Sequence, residues 1–295
     1  MLLLLGGNGY VGQAFARHLE SIDAPHRIIS RSADGDYADA KVLGDLIKMH
    51  QATFLVNASG YTGKPNVDAC EIHREECLFG NSILPARIRS VCETAGIPWG
   101  HVSSGCIYTG MAPGNRPFTE QDPPNFSFRQ DNCSFYSGTK ALGEELLTGG
   151  KNNYVWRLRI PFNHVDSPRN YLSKLMRYEQ LLEAENSITH LDEFAEACIS
   201  MWQQNVPFGT YNVTNPGAIT TRRVTELLSQ SGICTKDFRF FPSESEFLRV
   251  AKAPRSNCVL SSSKLSTYGI QLRDVETAIK DSLDRWISTN SGIEK

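Results

Sequence analysis

Three glycines spaced by three, Gly6, Gly9 and Gly12, follow directly on the apolar run Leu2–Leu5, and this pairing constrains the chain more than any other feature. A short buried strand that breaks into glycines and then into helix-compatible residues predicts a strand-turn-helix unit. The missing Cβ atoms let the backbone approach a pyrophosphate lying at the helix N-terminus. Glycines also serve a tight turn that binds nothing, so the spacing alone leaves both uses open. The apolar run has no basic residues ahead of it and is too short to span a bilayer, which predicts neither a signal peptide nor a membrane segment.

Further strand-like runs recur at Arg27–Ser30, Thr53–Asn57, Trp99–Ser103 and Tyr154–Ile160, and Gly12–Ser21, Asn81–Ala95 and Tyr136–Leu147 between them carry apolar residues at helical spacing. The alternation predicts an α/β fold: a Rossmann-type, doubly wound parallel sheet. The stretch Gly110–Cys133, rich in Pro, Gly and Asn, predicts a long irregular loop. Beyond Ile160, prolines at 161, 168, 207, 216, 242 and 254 punctuate shorter elements. We therefore expect a dinucleotide-binding domain of residues 1–160 plus about 187–215, and a smaller substrate lobe of about 161–186 and 216–295. A net charge of -2 speaks against a broad basic surface for nucleic acid. Eight cysteines without CxxC spacing predict reduced thiols of a cytoplasmic protein and no metal site.

At the cofactor end, Asn8, Tyr10 and Val11 share the glycine turn, and Ala58-Ser59-Gly60 follows a strand counted as the fourth. All are expected cofactor contacts, as is Ile160. The second strand ends Ile28-Ile29-Ser30-Arg31-Ser32, with no acid placed to receive a ribose 2′-hydroxyl. Arg31 can pair with a 2′-phosphate instead, which favours NADP(H) and leaves NAD(H) open; a solvated surface arginine is the alternative. Asp45 and Leu46 are expected at the adenine, although Asp45 would equally cap a helix.

Tyr136 and Lys140 stand four residues apart, so on a helix they project from one face. A phenol of pKa about 10 is a poor acid, and a neighbouring ammonium would bring it towards the working range. Ser104, near the end of a strand counted as the fifth, is placed to bond a substrate carbonyl. Cys106, two residues on, leaves on the same face if the strand continues; a small buried hydrophobe is its other reading. Thr62, Asn66 and Asp68 follow the strand at Thr53–Asn57, where they line a sugar pocket or cap the next helix. Arg169, Asn170, Arg255 and Asn257 are polar groups of the second lobe suited to a nucleotide diphosphate, or else parts of surface turns.

The order glycine turn, Ala58-Ser59-Gly60, Ser104, then Tyr136 and Lys140 resembles the extended short-chain dehydrogenase/reductases. That resemblance implies a Ser104-Tyr136-Lys140 triad, with Tyr136 exchanging the proton at a sugar oxygen and Lys140 also holding the nicotinamide ribose. More narrowly, Asn57–Glu71, Ser104-Gly105-Cys106-Ile107-Tyr108, Ser167–Asn170, Tyr211–Gly217 and Ala253–Asn257 look like the plant and viral nucleotide-rhamnose synthases. These are bifunctional 3,5-epimerase/4-reductases acting on a nucleotide-linked 4-keto-6-deoxyglucose. Ser59 stands where that family commonly has Ala, and Ser104 where it has Thr.

Similarity to the GDP-fucose synthases implies that Cys106 takes part in proton transfer. Their second acid/base is a His in the second lobe, where Asn170 stands here with His164 and Lys174 nearby; Lys174 and His73 are the candidates for that role, an ordinary surface position being the other reading of each. Two other functions stay open: a 4-reductase alone, similar to the dTDP-4-dehydrorhamnose reductases, and a regulatory subunit using the dinucleotide fold as a binding module. The helices on the sheet faces offer surface for a homodimer.

Overall fold

The computed structural model describes residues 1–64 and 66–288; Pro65 of the quoted motif and residues 289–295 of the expected second lobe lie outside them. Strands β1 (Leu2–Leu5), β2 (His26–Ile29), β3 (Phe54–Asn57), β4 (Trp99–Ser104) and β5 (Asn153–Leu158) join Gly209–Asn212 in one six-stranded sheet. From one edge to the other the order is Gly209–Asn212, β5, β4, β3, β1, β2, with every pairing parallel. Chain order reverses beside β1, which opens a crevice at the carboxyl ends of β1 and β3, where open α/β sheets receive ligands. The segment between β2 and β3 folds into the helices Arg31–Asp34 and Ala40–Met49 and holds no strand. The strands preceding Ala58 and ending at Ser104 are therefore the third and fourth, one fewer than expected in each case.

Both faces of the sheet are buried, and the four leucines of β1 show it by parity. Leu2 and Leu4 pack with Phe15, Trp156 and Phe194 beneath the helices Tyr10–Ser21 and Leu191–Gln203, whereas Leu3 and Leu5 pack with Leu43, Ile88 and Trp99 beneath Ala40–Met49 and Leu84–Ala95. A separate cluster, including Phe162, Leu172, Ile219, Val224 and Ile279, gathers the elements beyond β5. A fourth joins Cys106, Tyr108 and Phe118 to Cys258 and Leu260. The long loop is pinned there by single bridges, Gly110 to Cys258 and Phe118 to Leu260. Among the described residues no helix is long and apolar enough to cross a membrane, and no cluster of acids, histidines and cysteines is suited to a metal ion.

Candidate active site

The glycine turn is built by steric necessity. Gly6 has a φ of +76°, and a Cβ there would stand 2.6 Å from the Ser59 amide nitrogen; a Cβ on Gly12 would stand 2.1 Å from the Gly6 carbonyl oxygen. Only bare backbone fits where β1, the turn and the post-β3 segment meet. Beside them lies a cavity of about 820 Å³, lined by Gly6, Asn8, Arg31, Ser59 and Gly60 together with Tyr37 and Phe79. Its glycine floor and size fit a dinucleotide.

Arg31 sits at the cavity mouth between Ser30 and Ser32. Its guanidinium lies 5.1 Å from the Tyr37 ring centre and 3.3 Å from an Asp36 carboxylate oxygen. Tyr37 and Phe79 were not foreseen, because neither belongs to a periodic strand or helix pattern.

Other expected cofactor contacts sit elsewhere. Asp45 is exposed in mid-helix and pairs with Lys41 at 2.9 Å, while Asp39 caps that helix. Leu46 turns into the core, so neither residue lines the cavity. Val11 packs against the core, as does Tyr10, whose hydroxyl also donates to Asn163 Oδ1 at 3.2 Å. Ala58 is held by its amide to the Leu5 carbonyl. Ile160 ends the β5 turn and packs on the second-lobe cluster.

The side chains expected to be catalytic converge where β4 ends. Ser104 closes that strand, and Tyr136 and Lys140 lie on the first turns of the helix Phe135–Leu147, which Ser134 caps. The Ser104 hydroxyl lies beside both the Tyr136 phenol and the Cys106 thiol and favours the ionised form of each, and it accepts the Cys106 amide at 3.3 Å. The chain turns after Ser104 into a short 3-10 helix, Gly105–Ile107, so this hydrogen bond rather than strand alternation brings Cys106 to Ser104. Lys140 is 6% exposed and reaches the Val102 carbonyl at 3.4 Å. A Cβ on Gly60 would be 3.5 Å from its ammonium nitrogen, which places the charge beside the cavity.

Burial pushes the Tyr136 phenol well above its ordinary range and the Lys140 ammonium down. Desolvation dominates the phenol, and the one lowering influence named on it is the Ser104 hydroxyl rather than the expected Lys140 charge. Burial also pushes the Cys106 thiol up.

Asn81, which sequence reasoning missed, braces this corner from the π turn Phe79–Ile83. Its side chain accepts the Tyr61 amide at 3.0 Å and donates to the Tyr61 carbonyl at 2.8 Å and to Thr139 at 3.2 Å. The lone available signal was an Asn inside an otherwise helical pattern.

On the sugar side, Arg255 pairs with Asp68 at 2.8 Å, and Arg169 donates to the Gly63 carbonyl at 2.6 Å. The segment after β3 is thereby tied to the second lobe. Lys174 is half-buried near both arginines, and desolvation followed by their charges pushes its ammonium down. Asn66 caps the 3-10 turn Val67–Glu71, Thr62 is exposed, and Asn257 accepts from Asn186 at 3.2 Å.

Asn170 is fully buried. Its amide donates to the carbonyls of Asn163 and Val165 while its oxygen caps the helix Tyr171–Arg177, which leaves it no group for a substrate. His73 is exposed beside Glu76, and His164 lies 3.6 Å from Asp192.

Fold and site together define an oxidoreductase of the short-chain dehydrogenase/reductase type. The family model described as the RmlD substrate binding domain matches residues 1–287. The chain is 32% identical over 290 residues to the bifunctional dTDP-4-dehydrorhamnose 3,5-epimerase/dTDP-4-dehydrorhamnose reductase of Arabidopsis thaliana, a match covering 97% of this chain and 91% of that protein. It belongs to the RmlD substrate-binding-domain family.

Two solved structures share the fold. The L780 UDP-rhamnose synthase of Acanthamoeba polyphaga mimivirus has a TM-score of 0.87 at 24% identity, covering 96% of this chain and 98% of that one. The dTDP-4-dehydrorhamnose reductase of Bacillus anthracis, in complex with NADP, has a TM-score of 0.79 at 15% identity, covering 97% of each chain.

Proposed function

We propose that the chain is a bifunctional 3,5-epimerase/4-reductase that uses NADPH to convert UDP- or dTDP-4-keto-6-deoxyglucose into nucleotide-linked L-rhamnose. The observation that carries this reading is the convergence on the Ser104 hydroxyl of the Tyr136 phenol and of Cys106, whose amide donates to that hydroxyl at 3.3 Å. A ketone oxygen seated at Ser104 meets a proton donor for reduction, with a sulfur for proton transfer next to it. The two activities named for the Arabidopsis relative, and the synthase activity named for the viral one, agree with that pairing.

NADPH, when bound, supplies the hydride for C4. Tyr136 gives its proton to the C4 oxygen, and burial keeps the phenol in the protonated form that reduction requires. Lys140 stabilises the phenolate left behind and holds the ribose beside Gly60. Ser104 bonds the same oxygen when an enolate forms, which lowers the cost of removing a proton from C3 or C5. Cys106 transfers that proton on one face. Lys174 is the second acid/base, placed beside Arg169 and Arg255, its ammonium pushed down by burial and then by their charges. Arg169 and Arg255 take the diphosphate, and Arg31 takes the 2′-phosphate that selects NADP(H) over NAD(H).

The test is incubation of the purified protein with NADPH and each nucleotide ketosugar, following NADPH absorbance and identifying the product by NMR. Nucleotide-linked L-rhamnose formed without a second enzyme is the expected outcome, and the faster substrate names the nucleotide. Loss of NADPH only with pre-epimerised ketone would reduce the chain to a 4-reductase. Cys106→Ala is expected to abolish turnover of the unepimerised ketone while retaining reduction of the epimerised one.

A further inference from the structure

Arg157 and Arg159 lie two residues apart at the end of β5, yet their charges are treated oppositely. Arg157 is clamped by Glu144 at 2.6 Å, an ordinary buried ion pair. Arg159 is 6% exposed, and among the described residues no carboxylate pairs with it. One terminal nitrogen donates to Asn186 Oδ1 at 2.7 Å and to the Ser256 carbonyl, and its Nε donates to nothing. A buried guanidinium without a counter-charge is costly and persists where the surroundings force it.

They do so here. The Arg159 amide donates to Thr189 Oγ1 at 2.9 Å, and the next residue, Ile160, has a φ of +39°, a conformation rare for a β-branched side chain. The Arg159 Cδ would lie 3.5 Å from a Cβ on Gly105, so the side chain runs directly against the turn that carries Cys106.

We propose that Arg159 is a positioning residue for proton transfer by Cys106: its unpaired charge, held behind the Gly105–Cys106 turn, stabilises the thiolate. The groups facing Cys106 are the hydroxyls of Ser104 and Ser137, the Lys140 ammonium, the Tyr136 phenol and the thiols of Cys133 and Cys258. None of these is a carboxylate, so the local field is cationic. Burial raises the thiol, and after the Ser104 hydrogen bond the Arg159 charge opposes it ahead of Lys140. Lys140 is assigned to Tyr136 and the cofactor, so Arg159, which also lies against the Cys258 thiol, is the remaining cation that favours the Cys106 thiolate.

The inference rests on the reading of Cys106 as an acid/base, and its test is independent of any sugar. Cys106 alkylation by iodoacetamide, followed across pH by peptide mass spectrometry, reports its titration directly. Removing a nearby cation raises a thiol pKa, so Arg159→Gln is expected to move the alkylation midpoint up by about one pH unit, cutting thiolate roughly tenfold below it. Arg159→Lys is expected to restore most of the shift.

Asn186→Asp, which gives the guanidinium a carboxylate in nearly unchanged geometry, is expected to raise the midpoint too, and it tests the idea should the Gln variant not fold. With substrate, solvent-deuterium wash-in at C3 and C5 should fall more than reduction of the pre-epimerised ketone, with its Cys106-governed limb moved up in pH. An unchanged alkylation midpoint in folded Arg159→Gln or Asn186→Asp overturns the proposal. The acid/base reading fails separately if Cys106→Ala leaves the wash-in intact.

Discussion

At the cofactor end the backbone makes the site, whereas the segments proposed to hold the sugar are tied together by side chains. Gly6 and Gly12 bring β1, its helix and the post-β3 turn into contacts that a single Cβ would block. The sugar side is held by Asp68 with Arg255 and by Arg169 with the Gly63 carbonyl, pairs drawn from segments far apart in the chain. The difference teaches that the first site tolerates almost no change in shape. The second is a set of polar contacts that a ligand can replace one at a time, because each arginine holds a partner a phosphate can displace.

That contrast can be broken by substitution. Gly12→Val drives side-chain atoms into the Gly6 carbonyl, so NADPH binding measured by fluorescence titration should be lost, with a clear fall in melting temperature; retained binding would remove the steric argument. Arg31→Ala should weaken NADPH binding roughly ten- to a hundredfold and leave NADH nearly unchanged, on the scale of a charge-assisted phosphate contact. Arg255→Ala should raise the nucleotide-sugar KM about tenfold with a smaller change in kcat, the signature of uniform binding. Asp45→Ala should leave NADPH affinity and melting temperature nearly unchanged, since its pairing with Lys41 is exposed. An effect of Asp45 on NADPH binding as large as that of Arg31 would return it to the adenine site.

The same contrast explains what the sequence made legible. Strand parity in Leu2–Leu5, the glycine spacing and the Tyr136–Lys140 separation are local patterns, and local patterns carry backbone geometry. Asp45 and Asn170 show why single residues were harder to read: an isolated polar residue looks alike whether it meets a ligand, a helix neighbour or a buried carbonyl. Asn170 turned out to spend every donor and acceptor on its own loop and helix. Tyr37, Phe79 and Asn81 escaped notice because their contacts depend on a helix-rich segment after β2 and on a π turn, neither of which has a periodic signature. The unpaired charge of Arg159 was invisible for a further reason, since the absence of a partner is a property of the folded neighbourhood alone.

The account stands on one chain performing proton exchange at two carbons and then reduction at a third. The most direct measurement is a reaction in D2O with the purified protein, NADPH and the unepimerised nucleotide ketosugar as sole components, with the product examined by NMR. The account predicts nucleotide-linked L-rhamnose carrying solvent deuterium at both C3 and C5. A reduced sugar that keeps its starting configuration and protium at those carbons would contradict it.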